Sequence, residues 1–347
     1  MFFLSPHAYP WDIAIAMILA GSFSLAIAAD AALRSGKKGT LRRFTVSLIG
    51  LLSLSAFFLT AYGTFVEPKL LTVTQASVPL RTDRPLRIVL LADLHVGAYV
   101  QASDTERVVR RVNGLFPDMI LIAGDFVASD NLDARTFSSL SPLKDLRSSY
   151  GTFAVLGNHD HGVYRTFFGV HRAPEDRSET IAEFLRSLNM TVLVNASENV
   201  TVGTDAVTIA GVDDAWSGKA DLLRTLQGRT AGVPTILLSH NPDVILDPLS
   251  GEADLIVSGH THGGQIRLPW IGPLAALPTR LGPAFDQGIF SLGRERTLVI
   301  TRGIGELGPR ARLFAPPQIM LLTTEPPPGF ASPFGTATGG TMSSRQL

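Results

Sequence analysis

The sequence predicts a layered α/β domain, two packed sheets flanked by helices, carried behind two membrane-spanning helices. Three observations lead there. Two uncharged apolar stretches open the chain, short apolar runs alternate with helical segments from about residue 85, and the second half turns β-rich. The 347 residues suffice for one large domain or two smaller ones with ample core.

The first apolar stretch, Ile13 to Ala29, carries no charge over 17 positions, and the second, Phe44 to Val66, carries none over 23. At about 1.5 Å per residue each can cross a hydrocarbon core of roughly 30 Å, the first only just. They place helices over about 11–29 and 44–66 within an anchor of residues 1–68. A signal peptide would need a basic start, and MFFLSPHAYPWD has none. The connecting loop holds Arg34, Lys37, Lys38, Arg42 and Arg43 against Asp30, so the positive-inside rule puts it in the cytoplasm. A two-pass protein of the cell membrane with an extracytoplasmic C-terminal domain follows; Arg81, Arg84 and Arg87 beyond the second helix pull the other way.

Residues 69–325 make up the expected domain. LRIVLLAD, DMILIAG, GTFAVLG, VTIAGV, TILLS and ADLIVSG are strand-like runs ending in Gly, Asp, Val or Ser, and TLVITRG and PQIMLLTTE are two late ones. DTERVVRRVNGLF and DARTFSSLSPLKDLRSS fit helices, and SETIAEFLRSLN fits a third with Ser178 as its N-cap. SENVTVGTDAVTIAGV predicts a hairpin around Gly203-Thr204-Asp205. Residues 326–347, rich in Pro, Gly, Ser and Thr, lack periodicity and are expected to be a disordered tail.

Composition excludes several chemistries. There is no cysteine, hence no disulfide, thiolate site or cysteine nucleophile, and any metal must be held by nitrogen and oxygen. Thirty basic residues balance thirty acidic ones, so no footprint for nucleic acid is visible. What remains sits at the strand ends. The first run ends in Asp93 and His95, the second in Asp125, the third in Asn158, His159 and Asp160, TILLS in His240, and ADLIVSG in His260 and His262. Strand ends along one edge of a sheet converge, so these residues can share a pocket. A buried cluster of carboxylates and imidazoles is destabilising without compensation, which metal ions supply.

Taken in order, D-x-H, GD, GNHD, an isolated His and GHTH resemble the signature of the calcineurin-like metallophosphoesterase superfamily, across roughly residues 85 to 325. GHTHGGQIRLP and TRGIGELGPRARLFAPPQIMLL look like its membrane-associated bacterial phosphodiesterases. The resemblance implies a four-layer α/β/β/α sandwich of two mixed sheets and a binuclear centre. Asp93, His95 and His262 would hold one divalent ion and Asn158, His240 and His260 the other, with Asp125 bridging. Mn, Fe, Zn or Ni would suit these ligands. The implied reaction is phosphodiester hydrolysis by a metal-bridging hydroxide, with His159 stabilising the phosphoryl charge or protonating the leaving oxygen. The implied partners are a phosphoester substrate, lipid-linked in some relatives, and the lipid bilayer.

The pattern also departs from that of the superfamily's protein phosphatases. They extend the second motif to GDxxDRG, whereas GDFVASDN here puts Ala128 at the Asp and supplies no Arg, which argues against a phosphoprotein substrate. Asp130, Asp213 and Asp214 are the candidates for supporting His159. His161 and Arg312 are candidate substrate contacts, with Arg310 as an alternative to the latter. Arg107, Arg110 and Arg111 fit a solvated helix face better than a phosphate clamp. Trp270, Ile271 and Leu274 leave two readings open: simple core, or an apolar lip for an acyl chain or the bilayer surface. Two functional alternatives also stand: a pyrophosphatase acting on a nucleotide-linked acylated glucosamine, and a catalytically silent metal-binding membrane protein.

Overall fold

A computed structural model describes residues 9–35, 39–128, 132–166 and 169–326. Two long helices come first, α1 (Tyr9–Arg34) and α2 (Thr40–Ala61). Helix α1 outruns its uncharged stretch at both ends, Arg34 pairing with Asp30 one turn earlier at 2.8 Å, whereas α2 starts ahead of its stretch and gives way to a π turn at Tyr62. They pack antiparallel: Arg42 reaches the Ala32 carbonyl, Gly50 lies against Ala29, and Phe57 meets Phe23 at 5.5 Å. Their outer faces are exposed and apolar, and by length and composition both can cross a membrane.

After a π turn over Tyr62–Val66 the chain enters the sandwich. Strands β1 (Thr72–Pro79) and β2 (Arg87–Leu91) precede α3 (Ala102–Asn113) and β3 (Met119–Ala123). Helix α4 (Ala134–Leu140), β4 (Thr152–Val155), the hairpin β5 (Val163–Thr166) and β6 (Gly169–Arg172), α5 (Ser178–Ser187) and β7 (Thr191–Val192) follow. The second half runs β8 (Ala196–Val202), β9 (Asp205–Gly211), α6 (Leu222–Leu226), β10 (Thr235–Leu238) and β11 (Leu255–Ser258). Then come the short hairpin β12 (Arg267–Leu268) and β13 (Gly272–Pro273), and finally β14 (Gly288–Ser291), β15 (Thr297–Ile300) and β16 (Gln318–Glu325).

The strands form two mixed six-stranded sheets, ordered β1-β16-β2-β3-β4-β7 and β14-β15-β11-β10-β9-β8. Period-two alternation explains the layering. Ile88 and Leu90 of β2 face the second sheet, packing with Ile209, Ile236 and Val257, while Val89 and Leu91 face Val108, Val109 and Val112 of α3 and Ile181 of α5. The outer face of the second sheet, Leu237, Ile256 and Leu298, is covered by Leu222 and its neighbours. The result is a four-layer α/β/β/α sandwich of two mixed sheets.

Three local expectations need correction. Ser178 is the first helical residue of α5 rather than its cap; its N–H is taken by Asp176 at 3.0 Å. The predicted helix over 133–149 stops at Leu140 and continues as a 3-10 turn, because Pro142 cannot extend it. Its cap is Asp133, accepting from Arg135 and Thr136. Strand β1 carries no prediction, since TVTQASVP is a half-buried edge with little apolar signal. Lys37, Lys38, Asp130 and all of the expected tail but Pro326 lie outside the described residues.

Candidate metal centre

The C-terminal ends of β2, β3 and β4 in one sheet and β10 and β11 in the other meet at one edge of the sandwich. Each strand ends in a turn, and the turns run side by side: Asp93 N–H donates to the Gly124 carbonyl at 2.9 Å and His95 N–H to the Asp125 carbonyl at 3.1 Å. Two bonds stitch the sheets together here, from His240 Nδ1–H to the Ala123 carbonyl (2.7 Å) and from His260 N–H to Asp93 Oδ1 (3.1 Å). Asp93, His95, Asp125, His260 and His262 all adopt positive φ, a conformation costly for non-glycine residues that clusters where side chains must be aimed. Two glycines permit the crowding. A Cβ on Gly157 would stand 2.2 Å from Asp125 Oδ1, and one on Gly259 would stand 2.5 Å from Asp93 Oδ2.

The donor atoms fall into groups. Asp93, His95 and His262 form one, and Asp125, His240 and His260 another, each within 4.8 Å among themselves; His95, Asp125 and His159 form a third that overlaps the first two. His95 and His262 face each other through Nε2 at 3.2 Å, and His260 Nδ1 faces His240 Nε2 at 3.0 Å. Asp125 Oδ2 stands between, 3.5 Å from His95 Nε2 and 3.2 Å from His240 Nε2. Asn158 Oδ1 lies 3.2 Å from His240 Nε2, and its amide is oriented by donating Nδ2–H to the Val163 carbonyl at 2.5 Å.

Electrostatics suit a cation. Every member except His159 is buried. Burial pushes Asp93 up to about 7 and His95 down to about 3, and drives His260 and His262 well below their usual range. Burial also opposes charge on His240, but the Asp125 carboxylate outweighs it and lifts His240 to about 10. With His240 Nδ1 donating to a backbone carbonyl, loss of the other ring proton leaves Nε2 a lone pair aimed at Asp125 and Asn158. Buried imidazole nitrogens facing one another across a carboxylate, all hard or borderline donors, are chemically matched to divalent cations.

Asp160 organises the centre, a role its sequence position alone did not disclose. Its carboxylate accepts backbone N–H groups from Asp125 (3.0 Å), Phe126 (2.9 Å), Val127 (3.2 Å) and Gly157 (2.9 Å), locking the β3 and β4 turns together. An Asp immediately after Asn-His at a strand end is the available signal, because such residues bond nearby backbone. His159 stands at the rim, its N–H donating to Asp125 Oδ1 at 2.8 Å. Its ring meets His95 edge-on at 4.8 Å and stacks on Tyr164 at 5.6 Å. Trp216 lies edge-on to His260 at 4.8 Å. Neither aromatic carries a sequence signal, since Tyr164 arrives on the short hairpin strand β5 and Trp216 on the turn after β9.

The two candidate substrate contacts, His161 and Arg312, both lie buried. His161 has Nε2 hydrogen-bonded to Asp213 at 2.7 Å and Nδ1 3.3 Å from the Asp176 carboxylate but not hydrogen-bonded to it. Burial, the largest single influence, disfavours its charge, but the bond to Asp213 and the Asp213, Asp176 and Asp214 carboxylates together outweigh it and raise its pKa. Asp214 accepts from Ser217 N–H within its own turn. Arg312 is wholly buried and donates to the carbonyls of Gly305, Ala315 (2.8 Å) and Arg302 (3.0 Å). It braces the segment that lies over Asp93. Arg310 pairs with Asp12 at 2.7 Å and stacks on Tyr99 at 4.3 Å, tying the start of α1 to the sandwich. Arg110 and Arg111 are exposed and Arg107 pairs with Asp104, as a solvated helix face requires.

This two-sheet frame and its buried His/Asp edge define a metal-dependent hydrolase of phosphoric esters. Residues 86–264 match the model of the calcineurin-like phosphoesterase family, and the chain belongs to that family. An uncharacterized metallophosphoesterase of Helicobacter pylori J99 is 33% identical over 303 residues, covering 84% of this chain and 72% of that protein. Phosphodiesterase YaeI of Escherichia coli K12 is 30% identical, covering 81% and 97%. UDP-2,3-diacylglucosamine pyrophosphatase LpxG of Chlamydia muridarum is 29% identical, covering 75% and 91%.

Proposed function

We propose that the protein is a membrane-anchored phosphodiesterase with a binuclear metal centre, its catalytic domain, residues 69–325, lying outside the cytoplasm. The observation that carries this is Asp125, whose Oδ2 lies within 3.5 Å of a histidine from each donor group. Asp93, His95 and His262 would hold one ion and Asn158, His240 and His260 the other, with Asp125 available to both. When bound, two such ions hold the phosphoryl oxygens and make a water nucleophilic near neutral pH. The protein's own groups do the rest. His159, pinned through its backbone to Asp125 and stacked on Tyr164, sits where it can deliver a proton to the departing oxygen. Asp160 keeps the two turns in register while that happens.

The diester reading is supported by the likeness to YaeI and by the absence of the Asp and Arg that follow GDxx in protein phosphatases. Similarity to LpxG supports a second reading, cleavage of the pyrophosphate in a nucleotide-linked acylated glucosamine. The basic loop between α1 and α2 disfavours it, because it sets the domain on the side where such a donor is scarce.

Full-length protein in detergent, stripped of metal and reloaded with Mn²⁺, tests the proposal against an aryl phosphodiester, an aryl phosphomonoester and the UDP-linked acylated glucosamine. Diester cleavage lost at least ~100-fold in Asp125→Asn is the expected result, that being the upper range for even an outer support of a metal site. Cleavage of the sugar nucleotide alone selects the second reading. Two bound metals without turnover of any of the three would overturn both and leave a silent metal-binding protein.

A further inference from the structure

The hairpin β12–β13 leaves the GHTHGG turn and carries an apolar tip that no part of the described sandwich covers. Trp270 is fully exposed, Ile271 is 72% exposed and Leu274 58%, so they are not core. Single exposed apolar side chains are ordinary, but three within five residues, one of them Trp, form a patch.

Backbone hydrogen bonds show what that patch stands beside. Leu313 N–H donates to the Gln265 carbonyl at 2.9 Å and its carbonyl accepts from Arg267 N–H at 3.0 Å. Its neighbour Arg312 donates to the Gly63 carbonyl at 2.8 Å, within the π turn that ends the second long helix. Hairpin, residues 311–313 and the helix end therefore lie side by side, each step about 5 Å wide. From Arg267 to the tip is three residues, at most roughly 11 Å. With one residue, about 4 Å, between Arg312 and Leu313, the tip thus lies within about 25 Å of the helix end by chain geometry. Phe65, Val66, Leu70 and Phe314 around the same junction are exposed as well.

We propose that Trp270, Ile271 and Leu274 form a third membrane contact, inserted into the leaflet from which α1 and α2 emerge, and that it seats the mouth of the metal centre at lipid-headgroup depth. The proposal rests on the reading that those two helices span the bilayer. Trp prefers the headgroup level, where its ring is buried and its N–H stays wet, and Ile and Leu suit the acyl boundary below. The hairpin cannot swing free of the site. Gln265 donates to the carbonyls of Leu307 (3.0 Å) and Pro309 (2.7 Å) and accepts from Leu307 N–H (2.9 Å), clamping the hairpin base to the segment that covers Asp93. His262 precedes that clamp by three residues, so the depth of the tip sets the depth of the centre.

The chain contains no cysteine, so Ile271→Cys, Leu223→Cys and Leu52→Cys each give one labelling site in the full-length protein. Leu223, 61% exposed on α6, and Leu52, 60% exposed on α2, serve as aqueous and bilayer references. Each labelled protein is reconstituted in phosphatidylethanolamine–phosphatidylglycerol vesicles and its fluorescence quenched by doxyl-labelled lipid or by aqueous iodide. Quenching of the 271 label by lipid, with several-fold less iodide quenching than at 223, is expected. A 271 label that matches the 223 label while the 52 label is lipid-quenched overturns the third contact alone. Failure of lipid quenching at 52 as well overturns the spanning helices, and the proposal with them.

Discussion

Asp125 owes its position to groups on both sides of it: its own N–H is held by Asp160, and its carboxylate holds the N–H of His159. His159 is the one member of the donor groups that is not buried, in keeping with the proton-transfer role proposed for it. His159→Ala is therefore expected to lower kcat by about 10²–10⁴-fold with the metal content unchanged, as single-turnover kinetics and elemental analysis would check. The acid–base behaviour of the ligands yields a further prediction. Without metal, Asp93 titrates near 7 and His240 near 10, and both must be deprotonated to act as ligands. Below pH 7 both carry protons; above it Asp93 has already lost its own. Mn²⁺ binding is thus expected to release more protons at pH 6 than at pH 8, measurable by titration calorimetry in buffers of different ionisation enthalpy. Equal release at the two pH values would contradict the assignment of Asp93.

At the scale of elements, the strands that carry the donor residues are legible, unlike β1 and the hairpin β5–β6, and the turns after them only partly so. LRIVLLAD, DMILIAG and TILLS are short apolar runs with unmistakable ends, and residues placed there were placed correctly at the sheet edge. Which turn neighbours which depends on strand order, and β10 lies beside β9 and β11 in a different sheet from β3. The bond from His240 to Ala123 has no trace in either segment read alone. Close approach between the β3 and β4 turns explains why Gly157 is glycine. Gly157→Ala would drive a Cβ into the Asp125 carboxylate, and strain of about 1–3 kcal/mol is expected, seen as a lower Tm together with weakened metal binding.

On the scale of the whole molecule, the two long helices and the sandwich are one packed unit at their junction. Glu67, 2% exposed, accepts the N–H groups of Phe314 (2.9 Å) and Ala315 (2.6 Å), and Arg310 reaches Asp12 in α1. Glu67→Ala leaves two backbone donors without their carboxylate, and a destabilisation of about 1–3 kcal/mol is expected in thermal unfolding. A fragment beginning at residue 70 should show at least the same loss. The same junction links the helix ends to residues 303–315, which overlie Asp93, through the bond of Gly305 N–H to the Asp93 carbonyl. Mutations there are consequently expected to reach the metal centre as well as the fold.

The sequence by itself determined the two apolar spans, the alternation of strands and helices, the kind of donor atoms available and their order along the chain. These are local properties, carried by periodicity and by residue type. Tertiary structure decided which donors meet, that Asp160 binds four backbone amides from two turns, that His161 and Arg312 turn inward to carboxylates and carbonyls, and that Trp270 stands in the open. Each of those outcomes depends on partners far away in the chain. A side chain's chemistry is written in its own residue, whereas its partner and its exposure are set by what the fold brings against it.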